Sequence, residues 1–113
     1  MGDNRPVALP GDLPLTLYRG DSYQYDVVVS DGATGGPMDL TGVVAASEIR
    51  KGSDVIALDC TVAGNVIHIA LAADAWGAMG PGAGRHDVQL TFADGRVWTP
   101  VAGPVTILAD VTA

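Results

Sequence analysis

Apolar and polar residues alternate with period two in segment after segment of this chain, the pattern of half-buried β-strands. Leu13, Leu15 and Leu17 share one side of a first strand over Leu13–Tyr18, where Pro14 suits a sheet edge. Arg19-Gly20-Asp21 reads as a turn. A second strand is expected over Tyr23–Ser30, with Tyr23, Tyr25, Val27 and Val29 facing one way and Gln24, Asp26 and Ser30 the other; Asp31-Gly32 ends it. Leu40 is a core anchor ahead of a third strand, Thr41–Lys51, with Val43, Ala45, Ser47 and Ile49 on one face. Ala45-Ala46-Ser47-Glu48 would also suit a helix, but no apolar stripe at helical spacing runs through it, so a strand is expected. Lys51-Gly52-Ser53-Asp54 turns into Val55–Val62, where Ile56, Leu58, Cys60 and Val62 align. Gly64-Asn65 turns into Val66–Leu71, with Ile67, Ile69 and Leu71 inward and His68 outward.

Ala72–Met79 is the one helical turn expected, started near Asp74 and stopped by Gly77 or Gly80, with Trp76 plugging an end of the molecule. Arg85–Phe92 is a clear strand, in which His86, Val88, Leu90 and Phe92 alternate with Asp87, Gln89 and Thr91. Asp94-Gly95 makes a hairpin, Arg96–Thr99 returns, Pro100 interrupts, and Val105–Val111 closes the chain. The spacing predicts an all-β fold, an immunoglobulin-like β-sandwich of about 7–8 antiparallel strands with at most one short helix. The domain is expected over residues 13–113. Residues 1–12, with two prolines, two glycines and no alternation, read as an extended N-terminal arm lying on a neighbouring subunit.

Composition narrows the function. Fifteen Gly and seven Pro disfavour long helices. Cys60 is the only cysteine, so no disulfide forms within the chain, and with two His it falls short of a zinc site. Six Lys+Arg against 13 Asp+Glu give a net charge of −7, without the basic stripe that nucleic acid requires. No apolar run approaches the roughly 20 residues of a membrane span, and Met1–Asp12 lacks the apolar core of a signal peptide. No cofactor is implied.

Candidate chemistry is sparse. His68 and His86 have no Ser, Asp or Cys at a recognisable catalytic spacing and read as surface or strand-end histidines. Cys60 reads as a buried, inert thiol. The aspartates do not form an Asp-x-Asp-x-Asp-Gly calcium loop, and the glycine loops lack the order of a phosphate loop. An enzyme is not expected. The candidates for protein contact are Pro6, Val7 and Leu9 in the arm, whose apolar surface would fill a neighbour's groove, and Trp98, expected to be exposed on its hairpin. A reading from another class is a carbohydrate-binding module using Trp76, Trp98 and Tyr18, which requires at least two aromatics coplanar on one exposed face.

Several stretches in order carry a family resemblance: Leu15-Thr16-Leu17-Tyr18-Arg19-Gly20-Asp21-Ser22, Tyr25-Asp26-Val27-Val28-Val29, Gly36-Pro37-Met38-Asp39-Leu40-Thr41-Gly42, Gly84-Arg85-His86-Asp87-Val88-Gln89-Leu90 with Asp94-Gly95-Arg96, and Gly103-Pro104-Val105-Thr106-Ile107. Together they resemble the N-terminal immunoglobulin-like domain of phage baseplate upper proteins and the small minor tail proteins that carry the same module. The resemblance covers about residues 13–112. It implies a non-enzymatic structural protein of a tailed phage virion, made in the host cytoplasm and placed in the tail or capsid, present in multiple copies or as a homo-oligomer among other phage structural proteins. A capsid decoration protein is the alternative within that class. The family's proteins usually continue into a long C-terminal region that docks receptor-binding proteins; this sequence stops at Ala113, so the expectation covers the module and a virion role, not receptor docking.

Overall fold

The alternating segments become strands because each can bury one face and satisfy its backbone across a neighbour. The computed structural model describes residues 11–109 apart from residue 33. It contains β1 (Gly11–Asp12), β2 (Leu15–Tyr18), β3 (Tyr23–Val28), β4 (Val44–Lys51), β5 (Asp54–Ala63), β6 (Val66–Leu71), a 3-10 turn (Ala73–Ala75), β7 (Gly82–Thr91) and β8 (Val97–Leu108).

Two sheets face each other. One holds β4, β5, β7 and β8, with β1 and β2 both on the outer edge of β8; the other holds β5, β6 and β3. β5 belongs to both, pairing with β4 through Asp54–Leu58 and with β6 through Asp59–Ala63. Its alternation runs unbroken through this transfer, so Ile56, Leu58, Cys60 and Val62 all contribute to the core. Gly64 supplies the positive φ, 62°, at the β5–β6 turn. Leu40, Ile49, Ile67, Ile69, Val88, Leu90, Val105 and Ile107 fill the space between the sheets.

Several expectations are corrected. β1 and β2 run parallel to β8, while the other ladders are antiparallel. The expected arm over 1–12 already enters the fold at its end, since Gly11 and Asp12 pair with Val101 and Ala102. The expected helical turn shrinks to Ala73–Ala75, although Trp76 and Met79 beside it are buried as a plug. Pro100 does not interrupt the last hairpin, because β8 runs through it as one strand of 12 residues. Trp98 pairs with Leu90 and Val101 with Val88, so Thr99 and Pro100 together oppose Gln89 in a β-bulge. A bulge tolerates a residue without an N–H. The closing strand ends at Leu108, and residues 110–113 lie outside the described residues.

Candidate protein-contact surface

The β-bulge decides where Trp98 points. Counting back in twos from inward Val105 and Ile107 puts Val97 inside and Trp98 outside. The extra residue inverts that count. Trp98 is therefore half-buried against the core, while Val97 is 50% exposed. Trp76 is also buried, its indole N–H donating to the Asp21 carbonyl at 2.9 Å. The two tryptophans thus form no exposed coplanar platform with Tyr18. What the bulge exposes instead is a row across the outer face of the larger sheet, Val44 and Val97 on either side of Thr91.

Arg19-Gly20-Asp21 is a structural clamp. The Arg19 guanidinium donates to the Met79 carbonyl at 2.8 Å and to the Gly77 carbonyl at 2.7 Å. With the Trp76–Asp21 bond, it fastens the β2–β3 turn to the segment after the 3-10 turn. The Asp39-Leu40-Thr41-Gly42 stretch is a second local device. Asp39 Oδ1 accepts from the Thr41 amide at 3.0 Å and the Thr41 hydroxyl at 2.6 Å, and these bonds hold the Asp39 carboxyl below its ordinary value. The turn lowers buried Leu40 into the core.

His86 overturns its expectation as a surface or strand-end histidine, since it is 3% exposed. β7 starts at Gly82, three residues ahead of the expected Arg85, so His86 sits inside the strand on the face of Val88 and Leu90. Its Nε2–H donates to the Leu13 carbonyl at 2.7 Å, and its Nδ1 is buried without a partner. Gly103 lies under the same carbonyl, where a Cβ would come within 2.4 Å of the oxygen. Leu13 is thereby held against β8 at Ala102 and Gly103, with its carbonyl reaching the His86 ring from β7. The Tyr25 ring meets His86 edge to face at 6.5 Å, with its hydroxyl buried and unpartnered. Burial pushes the Tyr25 phenol above its ordinary value, and the neighbouring Ser47 hydroxyl is committed to the Asp87 carbonyl, to which it donates at 2.6 Å.

His68 is exposed as expected and bonds Asp26 at 2.7 Å across β3 and β6. Cys60 is half-buried, short of the full burial expected, because its face lies where β5 has passed to the smaller sheet; burial and then neighbouring Asp59 push its thiol up. Among the described residues no cluster of three His, Cys, Asp or Glu could hold a metal ion. No helix there is long and apolar enough to cross a membrane.

An apolar groove of about 290 Å³ lies between β2 and β3. Leu13, Leu15, Leu17, Tyr23 and Tyr25 form its walls, Ile49, Leu58, Ile69 and Leu71 its floor, and Thr16, Gln24 and Asp26 its rim. Sequence reasoning missed this groove, because it arises where two consecutive strands join different sheets. The candidate contact residues Pro6, Val7 and Leu9 lie outside the described residues.

No protein-family model matches the chain, and no curated protein matches it in sequence. Among solved structures, a chain of the crystal structure of the titin M10–obscurin-like 1 Ig complex aligns with TM-score 0.51 and 18% identity, over 90% of this chain and 92% of that one. The fold is immunoglobulin-like. The GspB Siglec domain aligns with TM-score 0.47 and 17% identity, over 91% of this chain and 56% of that one. Identities this low speak to architecture alone.

Proposed function

We propose that this immunoglobulin-like domain is a non-enzymatic structural component of a tailed phage virion, a minor tail or baseplate-associated protein that works through protein contacts. The observation that carries the reading is where the resembling stretches fall in the fold. Leu15–Ser22 forms β2 and the Arg19 clamp, Gly36–Gly42 contains the Asp39–Thr41 turn over Leu40, and Gly103–Ile107 contains the close packing of Gly103 on Leu13. These residues are used as architecture, as expected of a module whose shared features are scaffold. The open groove and the exposed Val44–Val97 row offer apolar surface for neighbours in an assembly. A capsid decoration protein would use the same surfaces, and position in the particle separates the two.

The test is mass spectrometry of density-purified particles from the phage or prophage that encodes the chain, with immunogold labelling to locate it. The expected result is a fixed copy number at the tail or its base. Labelling over the capsid would replace the tail assignment with decoration. A protein found only free in the lysate would overturn the virion reading.

A further inference from the structure

The groove between β2 and β3 is apolar, and both strands bordering it have a backbone edge to spare. Among the described residues β2 pairs only with β8, and β3 only with β6. On the opposite side the sandwich is closed by β5, which passes from one sheet to the other. At one end, Tyr23 reaches across, its hydroxyl accepting from the Tyr18 amide at 2.9 Å. An extended segment with apolar side chains on one face fits this space: its side chains cover the exposed core and its backbone adds to the β3 edge.

The sequence contains a segment with that chemistry, Pro6-Val7-Ala8-Leu9-Pro10. In extended form Val7 and Leu9 point to one face and direct their N–H groups to one edge. Pro6 and Pro10, which have no N–H, fall on the other edge. Such a segment pairs along one side only, as an added edge strand does.

Register decides which copy supplies it. Gly11 and Asp12 extend along Val101 and Ala102, and the groove begins at Leu13. To enter its own groove, the chain would have to reverse before Gly11. A reversal using Leu9 and Pro10 sets Asn4 beside Leu15 and Gly2 beside Leu17, and leaves Val7 short of the groove. We propose that the β2–β3 groove receives the Val7–Leu9 segment of a second copy of this chain as an added strand on β3. This goes beyond a virion role and holds whether or not that role does.

The experiment uses two full-length single-cysteine proteins in a Cys60→Ala background, Ala8→Cys and Gln24→Cys, because in the added strand Ala8 would face outward, opposite to Val7 and Leu9, as exposed Gln24 does on β3 at the groove rim. They carry tags of different mass, and each is checked for a cooperative urea transition before mixing and mild oxidation. The expected product is a mixed disulfide between the two chains, reduced at least tenfold when Val7→Asp is added to the Ala8→Cys chain. Sedimentation of the unsubstituted protein should show a species above monomer mass that Val7→Asp converts to monomer. A missing mixed product overturns the proposal. So does an Ala8→Cys, Gln24→Cys double variant that closes within one chain at high dilution, or an unsubstituted protein that is monomeric at every concentration. None of these outcomes bears on whether the protein is found in particles.

Discussion

Gly103 shows how one residue can be fixed by a backbone crossing. An added methyl there would lie 2.4 Å from the Leu13 carbonyl oxygen and 2.8 Å from its carbon. Gly103→Ala must therefore displace Leu13, which also bonds Ala102 through its amide at 3.0 Å. The expected cost is about 1–3 kcal/mol in urea unfolding. Arg19→Lys keeps the charge but gives up the fork that reaches two carbonyls, and should cost about 1–2 kcal/mol by the same measurement. Tyr25 buries a hydroxyl without a partner, so Tyr25→Phe should leave stability unchanged or raise it by up to about 1 kcal/mol. The same residue sets an alkaline limit. Cys60 and Tyr25 have raised folded-state values, so the folded protein holds their protons more tightly than the unfolded chain does. Their contribution is complete below the ordinary values, near 9.0 and 10.0, and is lost as pH rises through the folded ones. Stability should fall above about pH 9, and less steeply in Tyr25→Phe and Cys60→Ala. Asp39 and Asp94 act in the opposite direction: both are lowered, so their contribution is present at neutral pH and lost as pH falls through their folded values.

At the scale of elements, β8 is where pattern and structure part. Period-two reasoning holds along Val101, Gly103, Val105 and Ile107 and then fails by one residue at the bulge. Deleting Pro100 leaves one residue opposite Gln89, so Trp98 should stay inside and its fluorescence should stay blue-shifted. Deleting Thr99 and Pro100 together shifts parity and should turn Trp98 to solvent, with a red shift against the constant signal of buried Trp76. The alternation of β3, β4, β5 and β6 was legible because each follows one pairing face along its length, and β5 keeps that face even as it changes sheets. His86 was misread because its role depends on where β7 begins. Gly82–Gly84 have too little side chain to mark that start, yet they pair with Ile107, Thr106 and Val105.

At the scale of the whole molecule, the first strands close on the last. β8 lies between β7 and the β1–β2 edge, so the fold requires contacts spanning nearly the whole described chain. A protein truncated before Gly103 should show no cooperative urea transition, because β2 then loses its ladder and Leu17 its cover. A truncation that unfolds as sharply as the full chain would contradict this topology. The amino-acid sequence by itself determined the all-β class, the hairpin turns at Gly64-Asn65 and Asp94-Gly95, the inward faces of most strands and the plug at Trp76. Those follow from local alternation and turn chemistry, which act over a few residues. Only the tertiary structure decided the parallel seating of β1 and β2 on β8, the inward turn of Trp98, the burial of His86 under Leu13 and the open groove between β2 and β3. Each depends on which distant strand supplies the missing hydrogen bonds. A strand's pattern states that it has a face to bury and edges to pair, but the partner that meets them is chosen by the packing of the whole chain.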